Sequence, residues 1–151
     1  MPIQYVLLDH GSFVYARAYG KLTAQDLVDH EAALLRDSGL ARGYRQLLDC
    51  RWASEDQTDE SILASLADVH RRNLATVRGS RYAVVAHNMQ WFQIGAQYRC
   101  EQFGMTMIIF NDSSTACIWL GVDYGQLSEY RRSRIPIFTP SQVWPVAVPA
   151  L

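Results

Sequence analysis

Polar residues follow three apolar segments of the chain, each at the point where the segment ends. The carboxyl ends of parallel strands meet at one edge of a sheet, and α/β proteins bind their ligands there. The spacing therefore predicts a ligand rim of mixed chemistry. Its residues are Asp49, Cys50 and Arg51, then His87 and Asn88, then Asn111 and Asp112.

Thiol chemistry is one function that this rim could perform. Cys50 would be the nucleophile, His87 its general base, and Asp49 the group that orients the histidine. A base is needed because a free thiol is mostly protonated at neutral pH. The positions along the chain do not show that these three side chains meet, so the thiol enzyme stands as an alternative.

The other interpretation gives the rim residues roles in the fold. Asn88 and Asp112 stand where helices begin and would act as N-caps, since their side chains accept hydrogen bonds from the first amides of a helix. Asp49 would pair with Arg51 or with a backbone amide, and Cys50 would fill space in the core. We favour this interpretation and predict no catalytic residues and no enzyme activity.

The sequence contains no motif that is typical of a metal site or a cofactor site. The three cysteines are widely spaced without a CxxC pair, and no two of the four histidines are four residues apart. The glycines form neither GxGxxG nor GxxxxGK. We therefore expect no metal and no cofactor. Free thiols are typical of a reducing cytoplasm.

Charge and hydropathy exclude several classes of function. A net charge of −1 on 151 residues provides no field that would attract nucleic acid or an anionic membrane. Residues 1–9 lack the basic and apolar regions of a signal peptide. No apolar run approaches the roughly 18 residues of a membrane helix. The sequence predicts a cytoplasmic protein without nucleic-acid partners and without membrane insertion.

Strand-forming and helix-forming segments alternate along the chain. The predicted strands cover 3–8, 13–19, 44–50, 82–86 and 105–110; the predicted helices run from Thr23 to Gly39, over 59–77, over 88–103, and from Asp112 to Gly121. Such alternation predicts a mostly parallel sheet, to which the first two strands add an antiparallel hairpin. The expected fold is therefore α/β, in the order ββαβαβαβα, as one domain over 1–122.

The C-terminal segment 123–151 differs in character from the domain before it. Four prolines interrupt it, namely Pro136, Pro140, Pro145 and Pro149. They exclude long helices and central strands. Its many apolar residues, among them Phe138 and Trp144, are unlike those of a free tail. We predict that this C-terminal arm packs on the domain or on a partner subunit.

One predicted helix is apolar on more than one side. Trp91, Ile94 and Tyr98 share the side that should face away from the sheet. That side predicts a subunit interface; the alternatives are the wall of a pocket for a lipid or small apolar ligand, or exposure without function. The four tryptophans and eight tyrosines of the chain, Trp144 included, favour the interface and hence a homodimer.

Four segments in a fixed order carry a resemblance to a known family. They are 15–27, with Gly20 before an acidic helix start, then 47–49 (LLD), 82–86 (YAVVA) and 116–121 (ACIWLG). Over residues 3–122 the chain resembles the STAS family of bacterial anti-sigma-factor antagonists, and in particular its SpoIIAA-like branch, which is also compared with CRAL-TRIO lipid-binding domains. The resemblance implies a SpoIIAA-like mixed sheet and a non-catalytic regulatory module that acts through protein contacts. The CRAL-TRIO similarity implies the alternative of a lipid carrier.

The chain departs from that family at the phosphorylation site. In the anti-sigma-factor antagonists an Asp-Ser pair begins the helix after the third strand, and its serine is phosphorylated. Residues 54–61 read SEDQTDES here, and Thr58 is the nearest hydroxyl to the helix start. Thr58 is thus a candidate phosphosite and equally an ordinary N-cap. Asp56, Asp59 and Glu60 would repel a phosphate at this position.

Overall fold

A single mixed sheet organises the computed structural model, which describes residues 2–55, 61–87, 98–125 and 127. Its strands are β1 (Ile3–Leu8), β2 (Phe13–Leu22), β3 (Arg45–Glu55), β4 (Arg81–Val85) and β5 (Thr106–Phe110). They lie in the order β1-β2-β3-β4-β5. β1 pairs with β2 in antiparallel fashion, and the remaining pairs are parallel. The predicted mostly parallel sheet with an N-terminal hairpin is confirmed.

Four α-helices accompany the sheet in the described residues. They are α1 (Ala24–Leu35), α2 (Ile62–Arg72), α3 (Leu74–Val77) and α4 (Ser113–Leu120). None of the helices in this part of the chain is long and apolar enough to cross a membrane. The element order agrees with the predicted α/β class.

Side-chain caps fix the starts of α1 and α4. The Thr23 hydroxyl accepts a hydrogen bond from the Asp26 amide at 3.1 Å, and the Asp26 carboxylate accepts one from the Thr23 amide at 2.8 Å. Asp112 accepts from the Thr115 amide at 2.7 Å, and Gly121 ends α4 with a φ of 70°. These are the caps and the stop that the sequence predicts, because free amides at a helix start need acceptors and a left-handed residue at its end suits glycine.

The predicted helix over 59–77 is divided in the structure. α2 ends before Asn73, and α3 begins after it. The Asn73 side-chain amide donates to the Val69 carbonyl at 2.8 Å, so a side chain replaces the regular backbone pattern at the break. The predicted helix over 88–103 lies largely outside the described residues, and its last part is a 3-10 turn at Cys100–Phe103.

β3 is longer than the sequence predicts, and this moves part of the predicted rim. The expectation that β3 ends near Cys50 is wrong, because the strand continues to Glu55. The pairing with β2 shifts by one residue after Arg17 and then runs on from Tyr19 to Leu22. A bulge of this kind adds a residue to one strand without ending the ladder. Asp49, Cys50 and Arg51 therefore lie within the strand.

Each face of the sheet carries its own apolar core. On the first face Val14 and Leu48 pack with residues of α1 and α2. On the second face Tyr15 and Leu47 pack with residues of α4, including Leu120. Successive strand residues point to opposite faces, so neighbours in sequence can belong to different cores.

Candidate functional site

A buried polar network crosses the first face between α1, β3 and α2. α1 supplies His30 and Glu31, β3 supplies Gln46, α2 supplies His70, and Tyr98 follows from the segment before the last 3-10 turn. All five residues are buried. Polar groups in such a position must be hydrogen-bonded to one another, because water does not reach them.

Hydrogen bonds connect the network from end to end. His30 Nε2 lies 2.7 Å from Gln46 Oε1, and the Gln46 amide donates to Glu31 Oε1 at 3.0 Å. His70 Nε2 lies 3.1 Å from Glu31 Oε2, and His70 Nδ1 contacts the Tyr98 hydroxyl. His70 Nε2–H donates to the carboxylate, and Nδ1 accepts from the Tyr98 phenol in the neutral imidazole or donates to it in the imidazolium. Either form of His70 keeps the hydrogen bonds of the network intact.

Glu31 is the charged centre of this network. Burial raises the pKa of Glu31, but the hydrogen bond and positive charge of His70, together with His30 and Gln46, outweigh burial and hold it below its ordinary value. Burial and the negative charge of Glu31 raise the pKa values of Tyr82 and Tyr98. The arrangement thus favours a carboxylate surrounded by neutral phenols.

A cavity of about 70 Å³ adjoins the network. Glu31, His70 and Tyr98 of the network are among its lining residues, although almost all of the surface that faces the cavity is apolar. The rest of its wall is apolar and includes Leu27, Leu63, Leu66, Val84, Met107 and Ile109. A space of this size holds a few water molecules or a short apolar group, and its apolar lining favours the apolar group.

Asp49 and Arg51 of the predicted rim form an ion pair on the second face. Arg51 Nε donates to Asp49 Oδ1 at 2.9 Å, and Arg51 Nη2 donates to Asp49 Oδ2 at 2.7 Å. Burial would lower the pKa of Arg51, but the hydrogen bonds and charge of Asp49 raise it. The bidentate geometry is the strong form of an arginine–carboxylate contact, and it occupies the Asp49 carboxylate.

The thiol interpretation requires Cys50 and Asp49 to act together, and the structure places them apart. Cys50 is 3% exposed and belongs to the core of the first face. Asp49 points to the second face, where it binds Arg51. His87 lies on the surface just after β4. The described residues therefore do not bring the three side chains to one side of the sheet.

The remaining predicted residues fall into two groups. Asn111 is exposed and Asp112 caps α4. Hydrogen bonds from the Thr115 amide, Ser114 and the Thr115 hydroxyl lower the pKa of Asp112. Tyr98 is buried and faces His70, so it lies inside the domain. Lying outside the described residues are Thr58, Asn88, Trp91, Ile94 and Trp144.

Sequence reasoning did not single out the network, although a signal for it was present. Glu31 and His70 each interrupt an apolar helical stripe, Glu31 between Leu27 and Leu34 and His70 beside Leu66. A polar residue on a buried stripe needs a partner on the opposing element. A buried polar residue on each of two neighbouring helices predicts that the two side chains form a pair. Gln46 lies in a strand and gives no such signal. No group of three or more side chains in the described part of the chain is arranged to hold a metal ion.

Comparisons with known proteins bear on the fold. A scan against protein-family models finds no match, and a search of curated proteins finds none. The chain is similar in structure to an uncharacterized DUF3478-family protein with a SpoIIAA-like fold from Shewanella loihica PV-4. That likeness has 16% identity and a TM-score of 0.50, and covers 78% of this chain and 93% of that chain.

A second solved structure is the anti-sigma factor antagonist SpoIIAA in its unphosphorylated form. Its identity is 15% and its TM-score 0.46, with 79% of this chain and 96% of that chain covered. At identities this low, likeness shows the fold alone. The predicted SpoIIAA-like, STAS-type fold is confirmed by the first of these structures.

Proposed function

We propose that this protein is a non-catalytic regulatory module that acts through protein contacts, as a homodimer in the cytoplasm. The observation that carries this proposal is an apolar surface at the β5 end of the second face. Ile118 on α4 is 80% exposed and Ile108 on β5 is 38% exposed. They are the large apolar side chains that stand exposed in the described part of the chain.

The surroundings of these two residues favour a contact surface over chance exposure. Single exposed isoleucines are ordinary. Here, however, a half-buried aromatic pair, Phe110 and Trp119, lies on the same side of the sheet with ring centroids 5.7 Å apart. We call these four residues the Ile118 patch. Exposed apolar side chains near aromatic ones are typical of protein interfaces.

The position of the Ile118 patch also suits a second copy of the chain. In the described sheet β5 is hydrogen-bonded to β4 alone, and so it forms an edge. An edge strand beside an apolar helix face can pair with the same edge of another molecule. Two-fold pairing would cover both copies of the patch at once.

The test compares Ile118→Lys with Ala64→Lys, a matched change at an exposed position of α2. We expect Ile118→Lys to weaken self-association by at least about tenfold, since it places a charge inside the contact. Ala64→Lys should leave the dimer unchanged. Sedimentation of the full chain over a range of concentrations measures both. A monomeric wild type, or an unchanged dimer in Ile118→Lys, contradicts the proposal.

The placement of the thiols supports a non-catalytic role. Cys50, Cys100 and Cys117 are all buried, and burial raises the pKa of Cys117 to about 11. Thiols in this state react slowly, because the thiolate is the nucleophile. We expect Cys50 to resist iodoacetamide at neutral pH in the folded protein. Rapid, selective alkylation of Cys50 would instead support the alternative of a thiol enzyme.

A carrier of a small apolar ligand is the second candidate, and the cavity on the first face favours it. The surface that lines the cavity is almost wholly apolar, which suits a small apolar ligand. Native mass spectrometry of gently purified protein tests it. A retained small molecule that Leu66→Trp abolishes, and the surface change Ala64→Lys does not, would favour the carrier. Purified protein that retains no small molecule would contradict the carrier candidate.

A further inference from the structure

Three exposed arginines lie at the end of the sheet where the parallel strands begin. Arg42 comes three residues before β3, and Arg78 comes three residues before β4. Arg71, in the last turn of α2, has its guanidinium 5.8 Å from the centre of the ring of Phe103, which comes three residues before β5. We call Arg42, Arg71 and Arg78 the arginine strip. Its members come from separate segments of the chain, so only the fold brings them to one edge.

Backbone contacts hold these segments side by side. The Gly43 amide donates to the Thr76 carbonyl at 2.9 Å, and the Gly79 amide donates to the Gly104 carbonyl at 2.8 Å. The Gly104 backbone lies against the Arg78 side chain, since a Cβ on this glycine would come within 3.1 Å of Arg78 Cγ. Adjacent strands are about 4.8 Å apart, so the arginine strip crosses the starts of β3, β4 and β5 over roughly 10 Å.

Glycines leave the backbone beside these arginines without side chains. Gly79 and Gly104 are exposed and have φ values of 81° and 71°, in the left-handed region that favours glycine. A Cβ at Gly79 would meet no other atom within 4 Å. A partner chain can therefore approach the backbone closely here while its side chains reach the guanidinium groups.

The charges of the arginine strip are not neutralised within the described residues, because none of its three members forms an ion pair there. The acidic side chains near it are already engaged. Asp68 pairs with Arg72 at 3.0 Å, and Glu101 pairs with Arg99 at 3.6 Å. The strip therefore presents a local positive charge on a chain whose net charge is −1.

A short run of carboxylates fits this strip better than a nucleic acid does. A nucleic acid carries a charge at every phosphate and binds to a broad positive field, whereas this strip is narrow and is bordered by Asp68 and Glu101. Alternate side chains of an extended peptide are about 6.6 Å apart, so two or three acidic residues span the strip. Guanidinium groups bind carboxylates through paired hydrogen bonds.

We propose that the arginine strip is the docking site for an acidic segment of a partner protein. The inference rests on the proposed function, since it names the chemistry of a partner that such a regulatory module would contact. The Ile118 patch shares no residue with the strip. Self-association through the patch and docking on the strip are therefore separate contacts, and each can be lost without the other.

Fluorescence anisotropy of a labelled hexaglutamate peptide with the full chain tests this docking. We expect a Kd below about 1 mM that rises as salt is added, and no binding of a hexaglutamine peptide. Arg78→Glu, at the centre of the strip, should raise the Kd at least about tenfold, because it replaces an attraction by a repulsion. Lys21→Glu makes the same change in net charge at an exposed residue near the opposite end of β2. This control should change the Kd by less than about twofold, since salt screens charges beyond a Debye length.

Three results would overturn the proposal. The first is a wild-type protein that does not bind the hexaglutamate peptide. The second is equal weakening by Arg78→Glu and Lys21→Glu, which would mean that the peptide responds to overall charge. The third is tighter binding of a single-stranded hexathymidylate that Arg78→Glu abolishes, which would assign the strip to nucleic acid.

Two further variants keep the outcome clear. If Arg78→Glu fails to fold in a thermal unfolding measurement, Arg42→Glu at the exposed end of the strip gives the same readout. Ile118→Lys should bind the peptide as the wild type does, whatever its state of association. Loss of the dimer with retained peptide binding would support the strip, whereas a retained dimer without peptide binding would contradict the strip alone.

Discussion

The two faces of the sheet stabilise their buried charges in different ways. On the first face Glu31 is neutralised inside a chain of hydrogen bonds that joins α1, β3 and α2. On the second face Asp49 is bound by Arg51, its neighbour but one in the same strand, and Arg17 stacks on Trp52. The first solution connects separate elements, whereas the second is local to two strands.

This difference indicates which buried groups contribute most to the stability of the domain. Removing a member of the first network leaves charged or polar groups buried between helices that cannot rehydrate without separating. Removing a member of the second pair leaves a group that is closer to solvent, since the Arg51 side chain is 17% exposed. We therefore expect mutations in the first-face network to lower the free energy of unfolding more than mutations in the Asp49–Arg51 pair.

The largest effect is expected for Glu31→Ala, which leaves His70 and Gln46 without their shared acceptor. Breaking a buried ion pair by removal of one partner costs about 3–5 kcal/mol of unfolding free energy. Asp29→Ala, at an exposed position of the same helix, is the control and should cost under about 0.5 kcal/mol. Urea denaturation measures both variants. Equal stability of the two would show that the network does not hold α1 to α2.

A smaller effect is expected for Asp49→Ala on the second face. The Arg51 guanidinium loses two charge-assisted hydrogen bonds but keeps its contact with Trp52, so we expect a loss of about 1.5–3 kcal/mol. The matched control is Asp68→Ala, which breaks an exposed ion pair with Arg72 and should cost no more than about 0.5 kcal/mol. If Asp49→Ala matches Glu31→Ala in urea, the distinction between the faces is wrong.

Acid should weaken the first face through Glu31. Its pKa in the folded protein lies below the ordinary value of 4.5, so the folded state releases the Glu31 proton more readily than the unfolded state does. The resulting stabilisation is present above pH 4.5 and is lost as the pH falls through the folded pKa. Glu31→Gln keeps the shape but cannot ionise, and its stability should fall less over this range. Parallel pH profiles of the two proteins would contradict this assignment.

The smallest effect is expected for Asp112→Ala at the start of α4. Loss of an N-cap costs about 1 kcal/mol, since the Thr115 amide loses its acceptor. Asn111→Ala, at the exposed neighbouring residue, is the control and should be nearly neutral. Thermal unfolding measures the shift in Tm. A loss as large as that of Asp49→Ala would mean that Asp112 does more than cap α4.

The start of α1 and both ends of α4 follow closely from sequence because their causes are local. Thr23 with Asp26 begins α1, and Asp112 and Gly121 bound α4, each through contacts within a few residues. The bulge in β3 and the break at Asn73 were not predicted. The first arises from pairing with β2, a strand distant in sequence, and the second from one side chain competing with the backbone pattern.

The sequence by itself determined an α/β fold with an N-terminal hairpin and a mostly parallel sheet, and it placed the start of α1 and both ends of α4. Hydropathy periods and caps are properties of neighbouring residues, so they can be read along the chain. Only the tertiary structure decided that Asp49 and Cys50 face different cores, and that Glu31 meets Gln46 and His70. Those relations depend on which strand residues point to which face and on how helices from distant segments come together.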